Sequence, residues 1–92
     1  MNNLFISYDL IAPGQHYEQV SEKIKSLGAW AKVELSLFYV KSALGSEAVA
    51  NAVYSVMDKN DKLIVIDTTN NSFHSFNLDP VVIKQMLNYW TK

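Results

Sequence analysis

The order of its apolar patterns is the feature that most constrains how this chain of 92 residues can fold. Segments that alternate between apolar and polar residues are typical of strands, and segments whose apolar residues recur every three or four positions are typical of helices. Here they follow one another as strand, helix, strand, strand, helix, strand, and then a short strand and a third helix. With right-handed crossovers, this order predicts an α+β fold of the ferredoxin-like βαββαβ type. We expect the spatial order of the strands to be fourth, first, third, second.

The boundaries of these elements are marked by residues that start and stop helices and strands. A first strand is expected at residues 3–10, a first helix at 15–27 and an apolar stretch at 30–41 that a tight reversal near Glu34–Ser36 divides into a hairpin. The remaining expected elements are a helix opening at Gly45–Ser46–Glu47, a strand at 62–69, a short strand at 73–76 and a helix from Pro80 to about Tyr89. We expect Gly28 to end the first helix, Ser46 to cap the second and Asp79 to cap the third.

The chain is expected to form a single domain, 1–92, with its core in residues 3–69. A chain this small buries only about 60% of its unfolded surface, yet 49% of its residues are hydrophobic. With both crossover helices on one face of the sheet, the other face would carry Phe5, one of Phe38 and Tyr39, and one member of the Leu63–Ile66 run. An uncovered apolar face predicts a partner, and we expect a symmetric homodimer with the C-terminal strand and helix, 73–90, at its interface. The alternative is that the third helix covers part of this face within one chain.

Composition excludes several classes of protein. Cysteine is absent, which excludes disulfides and thiolate metal sites. Net charge is −1 and arginine is absent, so strong sequence-independent binding of nucleic acid by one protomer is not expected. No apolar run reaches the roughly 18 residues of a membrane span, and the N-terminus does not resemble a secretory signal. We therefore expect a cytoplasmic protein with no membrane partner.

Asp9 has the clearest claim on chemistry, because it closes the first apolar strand at the edge of the predicted sheet. One interpretation is a Mg²⁺ ligand: magnesium prefers oxygen ligands and takes one or two carboxylates. A pair of Asp9 residues related by a twofold axis would provide them and would let the metal activate water. The other interpretation is a structural carboxylate that accepts backbone N–H bonds from the Pro13–Gly14 loop.

Three further residues could lie near Asp9. Ser36 begins the strand expected beside the end of the first strand, and His16 begins the first helix at the same edge, where it could donate a proton to a leaving group. A catalytic triad is not expected, since no nucleophile elbow is present. Gly14 precedes the helix, whose first amides could bind a phosphate. Asp67 also ends a strand, but an antiparallel one, so we expect it at the opposite edge as a local turn acceptor.

Several short stretches carry a family resemblance: Ser7–Leu10 with Pro13–Gln15 and Tyr17, then Lys25–Trp30, Ser36 with Val40–Lys41, and Asp58–Leu63. Together they span about residues 4–69. The chain resembles the SinR-like branch of the small ferredoxin-like CRISPR-associated adaptation protein and VapD superfamily. The resemblance implies a homodimer in which the C-terminal strand, here Phe73–Phe76, often crosses to the partner, and in which Asp9 meets its symmetry mate at a divalent metal site. We take Tyr8, Gly14 and Gln15 of the matched run as candidate ligand-binding residues.

The chain departs from the adaptation proteins after the first aspartate. Those proteins carry further acidic residues and paired arginines, whereas this chain has Ile11–His16 there. We therefore expect a homodimeric binding module that engages a nucleic acid, a nucleotide or a protein, with phage defence, counter-defence or a toxin–antitoxin system as its setting. The alternatives are a Mg²⁺-dependent endoribonuclease, deoxyribonuclease or phosphodiesterase that uses paired Asp9 residues, and a small protein inhibitor that acts by surface contact.

Overall fold

A computed structural model describes residues 1–11 and 16–90 of the chain. The fold is α+β, with a five-stranded antiparallel sheet and three helices. In chain order the elements are β1 (Asn2–Asp9), α1 (Tyr17–Lys25), β2 (Ala29–Glu34), β3 (Leu37–Ser42), α2 (Ser46–Tyr54), β4 (Lys62–Asp67), β5 (Ser72–Phe76) and α3 (Pro80–Tyr89).

The strands lie side by side in the order β2-β3-β1-β4-β5. The first four strands therefore have the neighbours that the sequence predicts, and β5 adds a fifth strand at the free edge of β4. The predicted reversal is present: β2 and β3 form a hairpin that turns at Leu35–Ser36, with a bulge between Lys32 and Glu34. β1 is central and pairs antiparallel with both β3 and β4.

The core lies between the sheet and the pair of helices α1 and α2. Even-numbered residues of β1 face these helices, and Leu4, Ile6 and Tyr8 are buried there. The helices contribute apolar residues at helical spacing, including Val20 and Ile24 of α1, which are fully buried. The odd-numbered residues of β1 face the other way, onto a side of the sheet that neither α1 nor α2 covers. We call this side the open face.

Two predicted helix signals have a different role in the structure. Gly28 does not end α1 through a left-handed turn; α1 ends at Lys25, and a Cβ at Gly28 would lie 2.0 Å from the carbonyl oxygen of Lys41. Glycine is therefore required where the chain enters β2 because β3 passes so close. Ser46 does not cap α2: Gly45 is the N-cap residue, and the buried Ser46 hydroxyl lies 3.0 Å from that of Ser72.

The start of α3 is as the sequence predicts. Asp79 caps the helix by accepting a hydrogen bond from the Val81 N–H at 2.9 Å, and Pro80 occupies the first helical position. Unlike α1 and α2, however, α3 buries none of its residues. Neither α3 nor any other helix within the described ranges has the length and apolar character that crossing a membrane requires.

Candidate functional site

Asp9 is exposed at the end of β1 and lies on the open face. It shares this face with Phe5 and Ser7, because side chains two residues apart in a strand point the same way. In the sheet, Asp9 pairs with Lys62 of the neighbouring strand β4. The central position of β1 therefore places the Asp9 carboxylate on the uncovered side of the sheet.

Ser36 lies beside the end of β1, as expected. Its carbonyl oxygen accepts a hydrogen bond from the backbone N–H of Tyr8 at 3.2 Å, so the hairpin turn adjoins the residue before Asp9. His16 is exposed at the N-terminus of α1, where its carbonyl oxygen accepts from the Val20 N–H. Within the described ranges, no hydrogen bond joins the side chains of Asp9, Ser36 and His16. Gly14 and Gln15, and the proposed bonds from the Pro13–Gly14 loop to Asp9, lie outside the described residues.

With this geometry, a metal site would require ligands from more than one chain. In the part of the chain that the structure describes, no group of three or more histidine, cysteine, aspartate or glutamate residues could hold a metal ion. Asp9 has no second acidic residue beside it in β1 or opposite it in β4. A symmetry-related Asp9, water and a phosphate would therefore have to complete the coordination shell of a magnesium ion.

Asp61 is a buried carboxylate that sequence reasoning missed. Its Oδ1 accepts a hydrogen bond from the Ile11 N–H at 2.8 Å, and its Oδ2 accepts one from the Asp58 N–H at 2.9 Å. It therefore ties the chain leaving β1 to the turn that precedes β4. The signal available in the sequence was the turn Asp58–Lys59–Asn60–Asp61, whose last residue enters a buried strand.

Asp67 confirms the expectation for the opposite edge. It pairs with Leu4 in the register, at the other end of β1 from Asp9, and it accepts hydrogen bonds from the backbone N–H groups of Thr69 and Asn70 and from the Asn70 side chain. Burial, the largest single influence, would raise the pKa of Asp67. The hydrogen bonds together outweigh it, and the pKa lies below its ordinary value.

Tyr8 points away from Asp9, into a cleft on the helix-covered side. The cleft has a volume of about 300 Å³ and lies between the first turns of α1 and the β2–β3 hairpin. Its lining residues are Tyr8, Tyr17, Glu18, Ser21, Lys32 and Leu35. The candidate residues Tyr8 and Asp9 are thus consecutive in sequence but serve opposite surfaces of the sheet.

A row of apolar residues crosses the open face from one edge of the sheet to the other. The register places one residue of each strand in this row: Ala31, Tyr39, Phe5, Ile66 and Phe73, in spatial order. The rings of Phe5 and Tyr39 are 5.6 Å apart, and that of Phe73 is 4.8 Å from Trp90 at the end of α3. Charged residues lie towards the strand ends of the same face, at Asp9, Lys41 and Lys62. The open face thus has an apolar centre and a polar margin.

Helix α3 extends this row but leaves much of its own apolar surface uncovered. Trp90 contacts Phe73 and donates its Nε1–H to the carbonyl oxygen of Asn71 at 3.1 Å. Val82, Met86 and Tyr89 of α3 line a shallow groove with Trp90. Val82 and Tyr89 are 43% and 69% exposed. Apolar side chains on this helix are therefore available for a further contact.

Comparison with protein-family models, with curated proteins and with solved structures found no match to this chain.

Proposed function

We propose that this chain is one subunit of a homodimeric binding module, in which two copies meet through the open face and α3. The observation that carries the proposal is the unbroken apolar row across all five strands, from Ala31 to Phe73, on the side of the sheet that α1 and α2 leave uncovered. A second protein surface is expected to bury this row, because exposed apolar surface of this extent is uncommon on a monomer.

The dimensions of the open face suit a dimer contact. Five strands spaced about 4.8 Å apart and about six residues long present a face of roughly 24 by 20 Å. A standard interface removes about 800 Å² of surface from each partner, which is about a seventh of the 5583 Å² that this chain exposes. The sheet face and the free side of α3 together supply surface of that order.

The chemistry of the face also suits a second copy. Specific interfaces have an apolar centre with aromatic residues and a polar margin, which is the arrangement of Phe5 and Tyr39 relative to Lys41 and Lys62. A twofold axis would place each apolar row against its symmetry mate, and the margin would remain hydrated. Sheet-against-sheet packing at about 10 Å is the common way to bury two such faces.

The strand order supports assigning the chain to the ferredoxin-like class, with β5 as an addition. β4-β1-β3-β2 is the order of that class, and α1 and α2 lie on one side of the sheet as it requires. We extend the assignment to the SinR-like branch of the CRISPR adaptation and VapD superfamily, on the residues that carry the resemblance. The module would then act in the cytoplasm, and it would engage a nucleic acid, a nucleotide or a protein near the end of β1.

Sedimentation equilibrium tests the dimer. The parent chain should sediment at twice its 10.4 kDa mass, and Phe5→Asp should sediment as a monomer, since a charge would enter the apolar row. Leu44→Asp is the matched control, because Leu44 is exposed outside the open face, and it should remain a dimer. A parent chain that is monomeric throughout the concentration series, or a Phe5→Asp variant that dimerises as the parent does, contradicts the proposal.

The place of Asp9 on the open face favours one alternative function, Mg²⁺-dependent cleavage of a phosphodiester. In a face-to-face dimer the two Asp9 carboxylates could share a metal ion that activates water. Single-stranded RNA and duplex DNA should then be cut with Mg²⁺ and left intact with a chelator or with Asp9→Asn. Glu47→Gln, which changes an exposed acid in the first turn of α2, should cut as the parent does. Absence of cleavage, or cleavage that survives Asp9→Asn, removes this function.

A further inference from the structure

Four aromatic rings form a continuous series beneath α1 that ends in the cleft beside Tyr17. The ring centroids of Trp30 and Phe38 are 6.2 Å apart, those of Phe38 and Tyr8 are 6.4 Å apart, and those of Tyr8 and Tyr17 are 6.2 Å apart. Phe38 and Tyr8 are buried, but Tyr17 is 43% exposed. The series therefore presents a rigidly supported aromatic surface to solvent, at the wall of the cleft.

The opposite wall of the cleft is apolar as well. It is formed by Leu35 in the hairpin turn, which is 77% exposed although leucine gains nothing from exposure. A flat ring inserted between Leu35 and Tyr17 would cover both side chains. The cleft volume of about 300 Å³ is at the lower end of the range for small-molecule sites, roughly 300–1,000 Å³.

The polar groups in the cleft are of both signs. Lys32 and Glu18 line it but do not pair with each other; within the described ranges, the one ion pair at 4.0 Å or less joins Lys25 to Glu22. The Lys32 ammonium lies over the Phe38 ring, 5.8 Å from its centre, within the range of a cation–π contact. Within the described ranges neither charge has an ionic partner, so the ammonium can recognise an anion and the carboxylate an amino group.

The two phenols supply hydroxyl groups, whereas the Ser21 hydroxyl already donates to the carbonyl oxygen of Glu18 at 3.1 Å and can only accept. Burial, with a smaller contribution from the nearby Tyr17 phenol, raises the pKa of the Tyr8 hydroxyl above its ordinary value. The phenol therefore stays protonated at neutral pH and keeps its O–H as a donor. The cleft then combines ring surface, hydroxyls, one cation and one anion in one place.

We propose that this cleft binds a planar heteroaromatic ring that carries a phosphate group. The ring stacks on Tyr17 against Leu35, Lys32 binds the phosphate, and Glu18 accepts a hydrogen bond from an amino group of the ring. This chemistry is found both in a free nucleotide and in an unpaired nucleotide of a strand. The inference specifies the ligand of the proposed binding module, but it does not depend on the dimer, because the cleft is on the helix-covered side of the sheet.

Titration of the full chain with AMP, followed by amide NMR shifts, tests the ligand class. AMP should shift the resonances of Tyr17 and Lys32. Adenosine, which lacks the phosphate, and ribose 5-phosphate, which lacks the ring, should each bind more weakly than AMP. Ribose 5-phosphate that binds as well as AMP would overturn the proposal. So would the absence of any shift at up to about 10 mM AMP, provided that a short single-stranded oligonucleotide produces none either.

Three variants test the residues. Tyr17→Leu should weaken AMP binding about tenfold or more, the usual effect of removing a stacking ring. Lys32→Ala should weaken it about twofold to fivefold at low salt, with a smaller loss at high salt. Lys59→Ala removes the same charge from the turn before β4 and should bind as the parent does. Affinity unchanged by Tyr17→Leu, or lowered equally by Lys59→Ala and Lys32→Ala, overturns the proposal.

Two further measurements separate the sources of the ligand and the two proposals. A hexanucleotide that binds more tightly than AMP, with the same dependence on Tyr17, assigns the site to an unpaired nucleotide in a strand; the reverse order assigns it to the free nucleotide. Sedimentation of the same samples reports the dimer. A dimer in which neither ligand binds would disprove the cleft alone, and a monomer that still binds AMP would disprove the dimer alone.

Discussion

The side-chain amide of Asn77 donates a hydrogen bond to the carbonyl oxygen of Asp61 at 2.7 Å, and this bond joins the end of β5 to the start of β4. Its nitrogen also lies within hydrogen-bonding distance of the carbonyl oxygen of Lys59, at 2.7 Å, and of the Tyr54 hydroxyl, at 3.1 Å. Asp61 in turn accepts the Ile11 N–H. The ends of β1 and β5, and the turn before β4, are therefore held together at the edge of the sheet where Asp9 lies.

Asp61→Ala should lower the free energy of unfolding by about 2–3 kcal/mol, since it leaves the Ile11 and Asp58 N–H groups without their acceptor in a partly buried site. Urea denaturation measures the change. Asp58→Ala is the matched control in the same turn, because within the described ranges the Asp58 side chain accepts no such bond, and it should change stability by no more than about 0.5 kcal/mol. Equal losses for the two variants would show that Asp61 does not hold this edge.

Gly28→Ala should lower the free energy of unfolding by about 2–4 kcal/mol, because the new Cβ would lie 2.0 Å from the Lys41 carbonyl oxygen and β2 would have to move away from β3. Thermal and urea denaturation report the loss. Gly45→Ser provides the contrast: no atom of the described residues lies within 4 Å of a Cβ there, the backbone is extended, and serine is a good N-cap for α2. That variant should be as stable as the parent or slightly more stable.

Acid should destabilise the fold through Asp67. Its pKa is lower in the folded chain than in the unfolded chain, so its contribution to stability is complete above the unfolded value, near 3.8, and is lost as the pH falls through the folded value. Asp67→Asn should therefore be less stable than the parent at pH 7, and the difference should shrink as the pH falls below about 4. Asn70→Ala, which removes one hydrogen-bond donor to the Asp67 carboxylate, should show the same pH dependence with a smaller difference in stability. A constant difference from pH 7 to pH 2 would contradict this assignment.

Helix α3 should detach from the sheet when Trp90, whose ring contacts Phe73 of β5, is replaced. Trp90→Leu deletes both the contact with Phe73 and the bond to the Asn71 carbonyl oxygen. We expect faster amide exchange at residues 81–89, while exchange in β1 changes little, since α3 buries no residue of its own. Tyr89→Leu, a change at a side chain that is 69% exposed, should leave α3 protected. Equal exchange in the two variants would show that Trp90 does not hold α3 to the sheet.

The sheet was predictable from the sequence because its strands follow period-two patterns. Alternation in β1 assigned Leu4 and Ile6 to one face and Phe5 to the other, and both assignments are confirmed. The hairpin of β2 and β3 was predictable because the apolar stretch 30–41 is too long for one strand and therefore reverses direction. The start of α3 was predictable for a different reason, since the Asp79–Pro80 pair fits only the first turn of a helix.

The errors arose where a residue's role depends on its distant neighbours. Gly28 has the position of a helix stop in the sequence, but only the pairing of β2 with β3 reveals the carbonyl that makes glycine necessary. Ser46 has the pattern of a cap, yet the nearby Ser72 belongs to a strand 26 residues away. Local sequence patterns contain no information about contacts between residues that are far apart in the chain.

The candidate site was predictable only in part, for the same reason. The sequence predicted Asp9 as a site residue because it ends an apolar strand, and the predicted strand order placed Ser36 beside it. The buried residue that shapes this edge is Asp61: its carboxylate accepts the Ile11 N–H, its backbone carbonyl oxygen accepts the Asn77 side-chain amide, and both donors come from other parts of the chain. The cleft beside Tyr17 was not foreseen, since it forms only where α1 passes over the hairpin.

Because Tyr8 and Asp9 are adjacent in one strand, the two candidate surfaces can be mutated separately. The even-numbered positions of β1 belong to one surface and the odd-numbered positions to the other. Substitutions at even positions of β1 alter the side that carries the cleft, and those at odd positions alter the side proposed to receive the second copy. The same peptide links both. The end of β1 is therefore the element that the proposed ligand and the proposed second copy would share, one on each side of the sheet.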